Sequence, residues 1–395
     1  MNKQDSFVMM VKPVGSRCNM RCSYCYYLDK GRYSMHKKQS CMKTALLERI
    51  IRETIQSQKG EVISFVWHGG EPLLAGIPFY QKAVELERKY LPSGRTVWNN
   101  IQTNGLLLND EWCRFLVQNR FDIGISIDGT EAVHNQNRRD IGGSGTWQRI
   151  RTNIGRLKRY RILPDLLCTV NSTSVKDPMG VYHCLKELDT GWIQFIPIVI
   201  RREDGSYSSL SVAPEEYGAF LCAVFDEWIT EDLGKTDVQL FAETARVAAG
   251  GSPAVCWLTE TCGKVLIAEE DGSIYSCDHF VDDQHRLGNI QNTKLDRMVY
   301  SRRQTDFGES KKTALSRKCR ECSWLKYCGG GCLKDRFKTG NEDEAQYYLC
   351  EGMKMFYAHA VKLLEKATVM SADRHTSEQI MNEMKRALKK DGVSG

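Results

Sequence analysis

Between residues 7 and 231 six short apolar runs alternate with six longer amphipathic ones, and this rhythm restricts the fold more than any other feature. The apolar runs are "FVMMVKP" (7–13), "VISFVWH" (62–68), "VWNNIQTN" (97–104), "DIGISID" (122–128), "DLLCTVN" (165–171) and "WIQFIPI" (192–198). Their length and their β-branched and aromatic content predict strands. Helices are predicted near 42–58, 77–90, 110–119, 146–160, 175–188 and 214–231. Repeated strand–helix units call for a parallel sheet, since parallel neighbours need a crossover about as long as a helix. Six units predict an α/β fold on an open or partial (β/α)6 TIM-like barrel, not a closed eight-stranded one. In such folds the chemistry sits at the C-terminal ends of the strands.

Polar signals fall at those ends. "HGGEP" (68–72) follows the second strand, "QTNG" (102–105) the third and "SIDG" (126–129) the fourth. After about residue 250 cysteines and glycines multiply, and "EDGS" (270–273) reads as a hairpin turn between "KVLIAE" and "IYSC". A barrel domain over 1–240, a cysteine-rich domain over 241–370 and a helical extension with tail over 371–395 are expected. The tail "KKDGVSG" is expected to be exposed.

No apolar run approaches the roughly 20 residues that span a bilayer, and "FVMMV" is too short for a signal-peptide core. A cytoplasmic protein without membrane contact is expected, and there clustered cysteines are metal ligands or catalytic groups more often than disulfides. The chain holds 16 cysteines. Its basic excess is local: residues 301–340 carry eleven Lys or Arg against four acids. That could suggest a nucleic-acid surface. The same stretch holds Cys319, Cys322, Cys328 and Cys332, however, and cations beside an anionic thiolate cluster offset its charge. No nucleic-acid partner is expected.

"CNMRCSYCYY" places Cys18, Cys22 and Cys25 in C-x3-C-x2-C spacing straight after the first strand. Structural zinc asks for four ligands, and no fourth cysteine lies nearby. Three thiolates suit a [4Fe–4S] cluster that keeps one iron open. The second half supplies Cys256, Cys262, Cys277, Cys319, Cys322, Cys328, Cys332 and Cys350, enough for two fully ligated clusters. The donor set alone does not separate these from zinc. Cys41, Cys113, Cys168, Cys184 and Cys222 belong to no motif, and Cys168 and Cys222 sit in apolar runs that suggest core packing.

The cysteine spacing on the loop after the first strand, with Tyr24 before the third cysteine, resembles the radical S-adenosylmethionine enzymes. The resemblance implies that the open iron chelates S-adenosylmethionine, and that the reduced cluster cleaves it to a 5′-deoxyadenosyl radical. It also implies cofactor contacts at Tyr24, Gly70 of "GGEP", Ser126 of "SIDG", Arg138 of "NQNRRD" and, more weakly, near Val199. The second half resembles the SPASM extension, with an interleaved ligand pattern. Cys256, Cys262, Cys277 and Cys332 would hold an inner auxiliary cluster, and Cys319, Cys322, Cys328 and Cys350 an outer one. Through "CxYCYY", "WHGGEPLLAG", "NRRD", "YSCDHFV" and "CxxCxxxxxCxGGC" nearly the whole chain is similar to the anaerobic sulfatase-maturating enzymes. These oxidise a serine or cysteine of a sulfatase to Cα-formylglycine. The partners implied are a sulfatase polypeptide carrying [CS]-x-P-x-R and an electron donor such as ferredoxin or flavodoxin. The cofactors implied are three [4Fe–4S] clusters and S-adenosylmethionine.

Such an oxidation removes two electrons and two protons, so a base must take the hydroxyl or thiol proton. Asp278, directly after Cys277, is the candidate, and the resemblance assigns that position the proton-accepting role. A brace on the cluster loop is the plainer role for Asp278. His279 reads as structural support, while Tyr27 and His68 are candidates to line the substrate pocket. Two alternatives stay open: another SPASM enzyme acting on a ribosomally made peptide, and a non-enzymatic iron–sulfur or zinc protein.

Overall fold

The computed structural model describes residues 6–27, 41–338 and 345–390. The six expected strands form within one or two residues of their sequence boundaries. They are β1 (Val8–Val11), β2 (Val62–Trp67), β3 (Thr96–Thr103), β4 (Phe121–Ser126), β5 (Asp165–Val170) and β6 (Trp192–Pro197). β1 ends ahead of "KP" because Pro13 has no N–H to give a ladder. Among the described residues six further strands follow: β7 (Asp237–Val238), β8 (Val265–Ala268), β9 (Ser273–Tyr275), β10 (Arg286–Asn289), and the paired β11 (Arg336–Phe337) and β12 (Gln346–Tyr347). Of the expected tail, residues 391–395 lie outside the described residues.

The chain divides into two compact units, each gathered from separate stretches. The first comprises Met1–Ser126, Asn135–Pro164 and Cys262–Ser310. Here β1, β2, β3 and β4 run parallel in sequence order, while β8 joins the free edge of β1, also parallel. β9 and β10 then continue antiparallel. The expected hairpin over 270–273 therefore forms, and it belongs to the same sheet as β1. Alternate side chains point to one face of a strand, and Met9, Val11, Ile63, Phe65 and Trp67 are all fully buried. The helix Thr44–Ser57 closes over the core with Leu47, Ile50, Ile51 and Ile55, one stripe of a helical period.

The second unit comprises Ile127–His134, Asp165–Thr261 and Lys311–Gly395. Its β5, β6 and β7 are parallel. The C-terminal part holds two helices, Cys350–Ala372 and, within the helical extension expected over 371–395, Ser377–Lys390. The first crosses the helix Pro214–Glu227 at two glycines. A Cβ on Gly352 would stand 1.9 Å from the Pro214 carbonyl oxygen, so the backbones meet where side chains are absent. Cys168 is buried in this core, whereas Cys222 is only half-buried. No helix among the described residues is long and apolar enough to cross a membrane.

Candidate functional site

In the first unit the ends of β1, β2 and β3 are stitched together around the three-cysteine loop. His68 N–H donates to the Val11 carbonyl, Gly70 N–H to Gly15 (2.8 Å) and Glu71 N–H to Arg17 (2.9 Å). A Cβ at Gly70 would sit 2.2 Å from the Arg17 oxygen, so this approach demands glycine. The buried Glu71 carboxylate accepts from Thr103 Oγ1, Asn104 N–H and Leu73 N–H, joining "GGEP" to "QTNG". Asn104 in turn donates to Asn19 Oδ1 at 2.7 Å and approaches Cys18 Sγ at 3.7 Å.

The far side of the loop is held by "NRRD". Arg21 N–H donates to the Arg139 carbonyl and Ser23 N–H to that of Asn137. The Arg138 guanidinium donates to the Tyr24 hydroxyl at 3.0 Å, and Gln102 reaches Ser126 Oγ at 3.3 Å. Tyr24, Gly70, Ser126 and Arg138 thus share one unit with Cys18, Cys22 and Cys25. Val199 does not: it lies two residues past β6, in the other unit.

Burial first, then the charges of Glu71, Cys22 and Cys25, pushes the Cys18 thiol up to about 12. Crowded, buried thiols become thiolates only where positive charge arrives, and cluster iron supplies it. The three donors therefore fit an iron–sulfur cluster by their chemistry.

Asp278 lies in the same unit. Lys12, next after β1 and 0% exposed, donates its ammonium to Asp278 Oδ1. The Tyr26 hydroxyl donates to Oδ2. Tyr26 also lies within electrostatic reach of both Cys25 and Cys277. His279 is exposed, its ring 5.4 Å from that of Tyr26. Tyr27 is buried and gives its hydroxyl to Glu269 at 2.5 Å, while the Lys12 ammonium rests 3.7 Å from its ring centroid. His68 is half-buried, its Nδ1 accepting from Gly69 N–H.

In the second unit Cys319, Cys322, Cys328 and Cys350 line a single cavity with Trp324, Tyr347 and Tyr357. Burial first, then the charge of Cys350, pushes Cys328 up to about 12. The donor set again fits a cluster. The other four thiols are split: Cys256 and Cys332 belong to this unit, Cys262 and Cys277 to the first. Among the described residues no three His, Cys, Asp or Glu close on a single metal ion. Part of the basic stretch is interior: Lys311 is 0% exposed and donates to the carbonyls of Cys256 (2.9 Å), Trp257 (2.9 Å) and Thr259. Arg336 donates to Gly330 O at 2.9 Å and Lys311 O at 2.6 Å.

The radical SAM superfamily pattern matches residues 13–177, and the SPASM iron–sulfur cluster-binding domain matches 261–323. A serine-type anaerobic sulfatase-maturating enzyme of Bacteroides thetaiotaomicron is 38% identical over 95% of both chains. The chain belongs to the anaerobic sulfatase-maturating enzymes. A cysteine-type member from Clostridium perfringens is 32% identical, covering 89% of this chain and 95% of that one. The solved structure of native anSMEcpe with bound AdoMet and Cp18Cys peptide superposes with a TM-score of 0.82 at 30% identity, covering 90% of this chain and 97% of that one. As a sulfatase-maturating enzyme this chain is a radical SAM oxidoreductase, with S-adenosylmethionine and [4Fe–4S] clusters as cofactors.

Sequence reasoning missed Lys12, Tyr26, Glu71, Asn104 and Glu269. One signal was present: a lysine inside an apolar run is costly to bury without a partner, and Lys12 lies between Val11 and Pro13.

Proposed function

We propose that this sulfatase-maturating enzyme uses Asp278 as the proton acceptor while a serine or cysteine in a [CS]-x-P-x-R segment becomes Cα-formylglycine. The observation that carries the assignment is the carboxylate beside Cys277, held by Lys12 and by Tyr26, whose hydroxyl lies within electrostatic reach of both Cys25 and Cys277. When bound, the cluster on Cys18, Cys22 and Cys25 with S-adenosylmethionine supplies the acceptor of a hydrogen atom from Cβ, and the auxiliary clusters supply a route for the second electron.

The chain's own residues supply the rest. Tyr24, Gly70, Ser126 and Arg138, with backbone near Val199, bind and orient the cofactor. Asp278 takes the proton from the substrate oxygen or sulfur. Loss of the Cβ hydrogen makes that O–H or S–H far more acidic, so an ordinary carboxylate suffices if it is correctly placed. Tyr27 and His68 shape the surroundings of the reacting side chain, and His279 supports Tyr26.

Three clusters are proposed: the open one, an inner one on Cys256, Cys262, Cys277 and Cys332, and an outer one on Cys319, Cys322, Cys328 and Cys350. The functional division is a radical domain over 1–240, an auxiliary-cluster domain over 241–370 and a helical extension over 371–395. A cytoplasmic electron donor such as ferredoxin or flavodoxin is the proposed partner beside the sulfatase.

Anaerobic turnover on paired Ser and Cys peptides, read by mass spectrometry, tests the reaction. Serine should lose two hydrogens, and cysteine should lose two hydrogens and exchange sulfur for oxygen. Deoxyadenosine without aldehyde from either peptide would sink the proposal. Iron and sulfide near about twelve each per chain support three clusters, and about eight would remove one.

A further inference from the structure

Asp278 is gripped at both oxygens by donors of unequal freedom. The donor to Oδ1 is Lys12, fully buried, its backbone N–H tied to the Ala268 carbonyl at 2.9 Å. Its ammonium also rests on the Tyr27 ring, and that ring is itself anchored through its hydroxyl to Glu269. The donor to Oδ2 is Tyr26, which is 43% exposed and flanked by exposed His279. A lysine locked at the end of a core strand cannot leave the carboxylate, whereas a phenol carried on a ring outside the core can swing its hydroxyl away.

We infer that Lys12 is a positioning residue. It fixes Oδ1, so that Oδ2 is the oxygen that exchanges the Tyr26 hydroxyl for the substrate hydroxyl or thiol. This rests on Asp278 being the proton acceptor and adds what aims it. The cost of misaiming is steep, since displacement of a reacting group by about 1 Å lowers rates by about a hundredfold.

The test is a double-mutant cycle in the cluster-loaded full chain, combining Lys12→Met with Asp278→Asn. Lys12→Met should lower kcat for aldehyde by about tenfold or more. The peptide Kd should hold within about twofold, and deoxyadenosine released per aldehyde should rise. In the Asp278→Asn background the same change should alter residual kcat by less than about twofold, because Lys12 acts through Asp278. The double variant should also melt no lower than Lys12→Met alone, because it removes the half-buried carboxylate that has lost its ammonium partner. If the single variant is too unstable to load, the comparison of Asp278→Asn with the double variant decides. Equal rate losses in both backgrounds, or unchanged kcat in Lys12→Met, overturn the inference. Full aldehyde formation by Asp278→Asn would instead overturn the proton-acceptor reading on which it stands.

Discussion

Among the described residues two lysines are wholly buried, Lys12 in the first unit and Lys311 in the second, and they meet opposite kinds of partner. Lys12 gives its ammonium to a carboxylate, Asp278. Lys311 gives its own to three main-chain carbonyls of the loop that carries Cys256. A carbonyl in such a place has no proton chemistry near neutral pH, so Lys311 can only shape backbone and contribute positive charge. A carboxylate can take a proton, so a lysine bound to one can aim chemistry. Equal burial therefore says little about role; the acceptor decides it. Arg336 sides with Lys311, since it donates to the carbonyls of Gly329, Gly330, Gly331 and Lys311, the glycines filling the gap from Cys328 to Cys332.

The largest expected effect falls on the carboxylate. Asp278→Asn should lower aldehyde formation by about 10²–10⁴-fold, the usual contribution of a positioned base. Iron content should be retained and the protein should remain folded at assay temperature. Activity normalised to iron is the measurement that separates this from collapse. Lys311→Met should behave in the reverse manner. It takes the ammonium from three carbonyls, of which that of Cys256 keeps the Thr259 hydroxyl as donor, so a stability loss on the order of 2 kcal/mol or more is expected. Melting temperature and iron per chain should fall together, with activity per remaining iron nearly constant. A Lys311→Met protein with full iron but depressed activity per iron would break the comparison, because a brace would then be acting on the chemistry.

The strands and the cysteine loops were legible because both are local: a period of two within six residues, and a spacing of three and two between thiols. What holds them together was not. Lys12 and Asp278 are 266 positions apart, and nothing in either segment names the other. Glu71 looked like one letter of "GGEP", yet its carboxylate joins two strand ends through three donors. Glu269 looked like the end of a strand, and only the fold gives it Tyr27. The charge excess of 301–340 was countable, but counting cannot tell the interior Lys311 from solvated pairs such as Arg317–Glu321. β7 and β10 escaped because two to four residues leave too little pattern to read.

Glu269 sharpens the comparison through pH. Burial, opposed by the Lys12 charge and the Tyr27 hydrogen bond, pushes its carboxyl up from 4.5 to about 7. On raising the pH from 4.5 the unfolded chain gives up this proton first, so the folded state is the one that binds more protons. Stability therefore falls as pH rises from about 4.5 to about 7, by about 3 kcal/mol in total. Glu269→Gln should flatten that decline in melting temperature against pH while leaving the chemistry of Asp278 in place. An unchanged slope would show that Glu269 is not held neutral beside Lys12.

Tyr26→Phe should have the smallest effect, and the smallness is the point. The Tyr26 hydroxyl and the Lys12 ammonium bind the same carboxylate, but only the phenol is on an exposed ring. Removing it deletes one hydrogen bond, worth about 1.5–3 kcal/mol when an ion accepts it, less at an exposed ring where water replaces the donor. If substrate displaces this hydroxyl anyway, the bond is absent when the proton moves, and kcat should stay within about threefold. Peptide affinity should tighten slightly, because binding no longer has to break the bond. A loss in kcat comparable to that of Lys12→Met, with affinity unchanged, would mean that both donors aim the carboxylate during the reaction. The distinction between a fixed and an exchangeable oxygen would then fail, even with Asp278 still serving as the base.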